Sequence, residues 1–340
     1  MLRQLKRFLD IIILSVVALG FVSGAGAAPR ATAHDSSRTE PAGLIEAVNN
    51  ANPGRDVSTG AHGPAVIRAQ VLLDRAWYSP GEIDGRFADN MRKAVLAFQK
   101  EHGLQATGRI NGETWQALDS EGEPALVAYT ITDKDAAGPF VRIPADLMQR
   151  AKLQWLGYES LQEALAERFH VSPKLLRDLN PRKTFAAGTE IWVPAVDSNA
   201  HPKKAASISV VLSQHVLQAL DHDGKVLAQF PVSLGGPHDP LTVGKWKVKN
   251  EVKDPVFHYN PDLIWDAKKH YTKVDIPPGP NSPIGVVWMG LTRPHDGIHG
   301  TPDPSRVGRS ETHGCLHLTN WDVQKLSAIT GPGTPVNVVN

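Results

Sequence analysis

One cysteine occurs in the 340-residue chain, Cys315, within Ser310-Glu311-Thr312-His313-Gly314-Cys315-Leu316-His317. A second histidine–glycine pair, His299-Gly300, sits sixteen positions upstream of it. A thiol beside imidazoles has the parts of an acyl-transfer nucleophile, because the base takes the proton and raises the thiolate fraction. Gly314 lets the backbone bend so that N–H groups face a developing oxyanion. His313 and His317 flank the cysteine at a period of two, which in an extended strand would put all three on one face. The same residues read in two other ways. A single free cysteine is commonly a buried, inert packing residue. His313-x-Cys315-x-His317 together with His299 is also a donor set for zinc, and nine of the fourteen histidines lie beyond Ser207.

Residue types and spacing together resemble the L,D-transpeptidase (YkuD-type) catalytic domain. The resemblance rests on Gly297-Ile298-His299-Gly300-Thr301 and on Thr312-His313-Gly314-Cys315-Leu316, with twelve residues between His299 and Thr312. Val232-Ser233-Leu234-Gly235, Pro240-Leu241-Thr242-Val243-Gly244 and Pro278-Gly279-Pro280-Asn281-Ser282-Pro283-Ile284-Gly285 extend it, from about Ser207 to the C-terminus. Where the family often carries Arg or Asn two positions after the cysteine, this chain has His317. The resemblance implies that Cys315 is the nucleophile. It implies that His299 is the general base and then the acid for the leaving amine, a pairing that suits imidazole near neutrality. It also implies that the carbonyl of Gly300 orients the His299 ring, so no carboxylate is required and Asp296 reads as a turn residue. N–H groups around His313, Gly314 and Cys315 are expected to form the oxyanion hole. Trp288, Thr312 and His317 are expected to bind substrate, and for Trp288 and Met289 pocket lining and a core role are equally open readings. No metal and no cofactor is expected.

The rest of the chain must position and deliver these groups. Its length fits two to three domains. Thirty-six basic residues against thirty-five acidic ones, a formal net charge of +1, give no electrostatic case for nucleic acid. Arg3, Lys6 and Arg7, the apolar run Ile11 to Val22 and the small residues Ala25-Gly26-Ala27 read as a secretory signal over 1–27. Membrane contact is expected only through that segment if it stays uncleaved. An exported chain with one cysteine has no internal disulfide, which favours a chemical role for the thiol.

Residues 28–61 are rich in Ala, Gly, Ser, Asn and Pro and read as a flexible linker. Over 62–120, a helical run from Ile67 to Ala76, a second through Met91, Ala94, Val95 and Phe98 ending at Gly103, and a third short helix from Thr114 to Leu118 resemble a three-helix peptidoglycan-binding domain. Over 127–196, a strand from Val127 to Thr132, two short helices with Ser172-Pro173 opening the second, and a strand at Ile191-Trp192-Val193-Pro194 read as βααβ. That order resembles a LysM glycan-binding module, interrupted by an insertion at about 133–157. From 204 to 340 short alternating strands dominate, with one helix from Trp321 to Ile329, and point to a closed or sandwiched β domain.

The expected fold class is thus multidomain α+β: a small three-helix bundle, a βααβ module and a mainly-β catalytic domain. The expected function is that of an exported enzyme of the periplasm or cell envelope. It forms a Cys315 thioester with a peptidoglycan stem tetrapeptide, releases D-alanine and passes the acyl group to an amine. The alternatives are a zinc-dependent peptidoglycan peptidase and a wall-binding protein without activity. The partners are stem peptides and glycan, and the sequence is silent on oligomeric state. A chain starting near Ser207 is expected to keep acylation by a small β-lactam while losing affinity for intact sacculi.

Overall fold

The computed structural model describes residues 41–51, 56–120, 122–197 and 202–340. The signal segment and the start of the linker lie outside the described residues. The first helix, α1 (Pro41–Asn49), corrects the reading of 28–61 as a linker throughout. Ile45 and Val48 on it are buried. The side-chain amide of Asn49 donates to the carbonyl of Leu126 and its oxygen accepts from the Leu126 N–H. Only three apolar positions, Leu44, Ile45 and Val48, mark this helix in the sequence. It is held by tertiary packing rather than by intrinsic propensity.

Three helices follow, α2 (Pro64–Arg75), α3 (Asp89–Glu101) and α4 (Gly112–Leu118). The first starts one turn before the apolar stripe because Pro64 suits the first helical position. Gly103 adopts φ +66° just past α3, and Asn111 caps α4 by accepting from the Thr114 N–H. Val66, Leu73, Met91, Val95, Phe98, Trp115 and Leu118 share one core.

The next segment pairs β1 (Leu126–Thr130) antiparallel with a strand some sixty residues later. Between them stand α5 (Asp133–Ala136), α6 (Leu147–Arg150), α7 (Leu161–Arg168) and α8 (Pro173–Leu179), and β2 (Glu190–Pro194) closes the unit. β1 stops short of Thr132 because that residue caps α5. Its core takes in Ile45, Val48, Ile67 and Val71 from the preceding helices.

The C-terminal region contributes β3 (Ser207–Val211), β4 (Val216–Leu220), β5 (Val226–Pro231), β6 (Leu234–Gly235), β7 (Gly244–Lys253), β8 (Phe257–Tyr259), β9 (Val274–Ile276), β10 (Val287–Leu291), β11 (Gly297–His299), β12 (Glu311–Thr312), β13 (Leu316–His317), α9 (Asn320–Ile329) and β14 (Pro335–Val339). Eight of the strands form one mixed sheet in the order β13-β11-β10-β7-β14-β3-β4-β5. The strand order is linear, but Ser233, just past β5, bridges His317 on β13 with both backbone hydrogen bonds at 3.0 Å. Closure of the sheet therefore rests on a single bridge. Val323, Leu326 and Ile329 of α9 pack into the core with Ile208, Val210, Met289 and Ile298 of the sheet.

Residues Thr39–Asn340 form one unit. Tyr78 pairs with Gln229, so the segment after α2 covers the free edge of β5. Among the described residues no helix is long and apolar enough to cross a membrane.

Candidate active site

Cys315 sits in the turn between β12 and β13. Gly314 adopts φ +98°, a conformation side chains other than hydrogen disfavour, and it breaks the extended backbone at this point. The expectation that His313, Cys315 and His317 share one strand face is therefore corrected. His313 turns outward, where its Nε2 lies 2.7 Å from the Asp266 carboxylate and its ring 5.8 Å from that of Trp265. His317 turns inward onto His299. The Thr312 hydroxyl donates to the Cys315 carbonyl at 2.6 Å and braces the turn. Thr312 is buried, with its hydroxyl engaged in this brace.

Register builds the rest. β11 and β13 run parallel with Ile298 opposite Leu316 and His299 opposite His317, so Gly297 lies level with Cys315. β10 sets Trp288 opposite His299. The three rings form a row across adjacent strands, Trp288 stacked 5.3 Å from His299 and His317 at 4.2 Å. Met289 points to the other face and is wholly buried in the core, not in the pocket wall.

His299 is 2% exposed, and its Nδ1 lies 2.7 Å from the Gly300 carbonyl. A carbonyl only accepts, so Nδ1 carries the proton and the lone pair is on Nε2. Burial pushes the imidazole down to about 4, against a partial rise from the Gly300 hydrogen bond. Burial also pushes the Cys315 thiol up to about 11; a backbone hydrogen bond from Gly297 pulls it down and the Asp296 charge pushes it up. His317 is held well below the usual histidine range by burial and by its neighbours His299 and His313. At neutral pH the site thus holds a neutral thiol and a neutral imidazole. The expected raised thiolate fraction is not the resting state, because desolvation outweighs the nearby dipoles.

The partly exposed Cys315 directs its thiol at the carbonyl of His295, 3.7 Å away. His295 itself has φ +67° in the turn between β10 and β11. Asp296 closes that turn, its N–H and C=O both used by neighbours, and its carboxylate pairs with Arg293 at 3.0 Å. Among the described residues no backbone hydrogen bond engages the N–H groups of Gly314 and Cys315, which leaves them available to an oxyanion. Among the described residues no three His, Cys, Asp or Glu side chains are grouped to hold a metal ion. His313 engages the Asp266 carboxylate and His317 packs on the His299 ring.

Sequence reasoning missed Asn320, which is buried at the start of α9 behind Gly300, and Asp266, which holds His313. Asn320 stands between Thr319 and Trp321, two positions before Asp322, in what reads as an ordinary helix cap, so nothing in the local pattern marks it.

Residues 205–338 match the family model of the L,D-transpeptidase catalytic domain, and residues 62–118 match that described as "Putative peptidoglycan binding domain". The chain is 39% identical over 198 residues to the "Putative L,D-transpeptidase in ATP synthase subunits region ORF 5" of Fuscovulum blasticum, covering 57% of this chain and 99% of that protein. It is 26% identical over 180 residues to the "Putative L,D-transpeptidase YkuD" of Bacillus licheniformis, covering 52% of this chain and 92% of that protein. A solved L,D-transpeptidase fragment of Xylanimonas cellulosilytica aligns over 85% of this chain and 100% of its own at 17% identity, with a TM-score of 0.36. With nearly the whole Fuscovulum relative matched at that identity, and with the catalytic-domain match spanning both His299 and Cys315, the chain belongs to the L,D-transpeptidase family.

Proposed function

We propose that this L,D-transpeptidase acts through Cys315 as nucleophile and His299 as general base and acid, on the stem tetrapeptides of peptidoglycan. The observation that carries the assignment is the His299 Nδ1 contact to the Gly300 carbonyl at 2.7 Å. It fixes the one tautomer whose Nε2 can accept a thiol proton. The thiol proton passes to Nε2 as Sγ bonds to the carbonyl carbon of the amide before the terminal D-alanine. The resulting oxyanion is met by N–H groups of the Gly314–Cys315 turn. The intermediate collapses, the C–N bond breaks, and the Nε2 proton goes to the departing amine of D-alanine. An acceptor amine then attacks the thioester and gives its proton to His299. The C–S bond breaks and the thiol recovers that proton. Trp288 and His317 flank the imidazole and exclude water from it.

The peptidoglycan-binding match over 62–118 supports attachment to the polymer, where tethering raises the local concentration of stems. The βααβ order of β1, α7, α8 and β2 supports a LysM-like role in glycan contact for the middle unit. The residues at 1–27 support export to the periplasm or cell envelope. The test is product analysis. Incubation with a tetrapeptide stem should release D-alanine and yield a cross-linked dimer, and Cys315→Ala should yield neither. Equal dimer from Cys315→Ala would remove the thiol from the reaction.

A further inference from the structure

The imidazole of His299 is held by a carbonyl, so whatever fixes that carbonyl fixes the base. Gly300 lies against Gly285 and against the side chain of Asn320. A Cβ on either glycine would come within 2.1 Å of Asn320 Oδ1, and one on Gly285 within 2.6 Å of the Gly300 backbone. The same Asn320 oxygen accepts from the Val286 N–H at 3.2 Å. Its amide nitrogen donates to the Pro280 carbonyl at 3.1 Å and to Glu167 Oε1 at 3.0 Å. Asn320 therefore ties the 280–286 loop and the Gly300 backbone together. One of its partners, Glu167, comes from α7 of the middle unit.

α7 and the segment just before it hold the catalytic region at several points. Glu163, one turn before Glu167, accepts from the side chain of Asn281 at 2.7 Å. The Leu156 N–H donates to the Pro278 carbonyl at 2.8 Å, and the Asn281 N–H to the Leu156 carbonyl at 2.9 Å. Tyr158 donates to Glu167 Oε1 at 3.1 Å and steadies the carboxyl from behind.

We propose that Glu167 is a positioning residue, which acts through Asn320 on the Gly285–Gly300 backbone and so on His299, and that the middle unit thereby completes the active site. This rests on the reading of His299 as the base. The carboxyl is held up to about 7, by burial and by Glu163 against the hydrogen bonds from Asn320 and Tyr158. Either protonation state keeps an oxygen that accepts from Asn320, so the requirement is an acceptor at this point and not a charge.

The full-length chain tests this with Glu167→Ala and Glu167→Gln, read two ways. One readout is the rate constant for acylation of Cys315 by a soluble carbapenem. The other is the NMR signal of the His299 Nδ1 proton, assigned with His299→Gln. Glu167→Ala is expected to slow acylation by about 10-fold or more, since small misplacements of catalytic groups cost that much or greater. It should also shift the Nδ1 proton or speed its exchange. Glu167→Gln keeps the acceptor and should restore both. If Glu167→Ala is poorly folded, Glu167→Met fills the volume without an acceptor and carries the same expectation. A folded Ala or Met variant with the wild-type rate and an unmoved Nδ1 proton would overturn the proposal. So would a Gln variant as impaired as Ala. If His299→Gln acylates normally while the Nδ1 proton still responds to Glu167→Ala, the positioning stands and the base assignment falls.

Discussion

Cys315 and His299 are displaced by burial in opposite senses, the thiol up to about 11 and the imidazole down to about 4. Both are neutral across the physiological range, so in the proposed mechanism the nucleophile is generated only as its proton leaves for Nε2. This has a kinetic signature. A reaction from a neutral pair requires unprotonated His299 and protonated Cys315, so acylation is expected to hold a plateau from about pH 5 to about pH 10. Its acid limb should fall near 4, not at the neutral value that an exposed imidazole would give. A stopped-flow pH profile with a carbapenem checks it. A rate that climbs steadily tenfold per pH unit through neutrality would mean that pre-formed thiolate is the reactant. His317 and Trp288 contribute by keeping water from the imidazole, which is why burial dominates both shifts.

At the scale of elements, α9 joins the site to the upstream helices. Asp322 in its first turn is fully buried and accepts from the Ser79 hydroxyl at 2.8 Å. Burial pushes its carboxyl up to about 7, with Lys325 and the Ser79 and Thr319 hydrogen bonds opposing and Asp74 adding to the rise. A folded value above the unfolded one near 3.8 means that the native state holds the proton more tightly. The stability from this group is complete below pH 3.8 and is lost as pH rises through about 7. Asp322→Asn keeps the Ser79 contact without a charge. Its melting temperature relative to wild type is expected to rise from pH 5 to pH 8, by an amount equivalent to at least about 1 kcal/mol. A difference that ignores pH would show that Asp322 is ionised throughout. Cys315, His299 and the Gly314 bend were legible in the sequence because local spacing encodes them. Asn320, Asp322 and Glu167 were not, because their roles come from contacts more than a hundred residues apart for Glu167 and Asn320, and from a cap pattern shared by any helix. The face shared by His313 and His317 was misread because an ideal strand was assumed where Gly314 turns the chain. α1 escaped notice because only packing stabilises it.

At the scale of the whole molecule, the units are interlocked rather than strung on linkers. Asp74 of α2 is buried between Lys325 of α9 at 2.8 Å and His170 at 3.0 Å, and the His170 ring stacks on Trp321 at 5.1 Å. Removing one partner of such a cluster leaves a buried charge uncompensated. Ile83 pairs with Val171, Tyr78 with Gln229, and Trp77 enters the catalytic core. The sequence-based expectation that a chain starting near Ser207 keeps acylation is therefore replaced. Such a chain loses Glu167 and Leu156 from the 278–286 loop and leaves the β5 edge and the Lys325 ammonium uncovered. It is expected to acylate at least about 10-fold more slowly than the full chain, measured with the same carbapenem. An equal rate would show that the catalytic region holds its own geometry.

The central claim, that Cys315 carries the acyl group with His299 as its base, is tested most directly by mass spectrometry of the acyl-enzyme. The full-length protein is quenched in acid during turnover of a tetrapeptide stem and digested, and the modified peptide is sequenced. The account predicts a thioester mass, equal to the stem without its terminal D-alanine, on the peptide containing Cys315. That adduct should be absent from Cys315→Ala and strongly depleted in His299→Gln. Turnover of the stem with no adduct at Cys315, or undiminished turnover in Cys315→Ala, would contradict it.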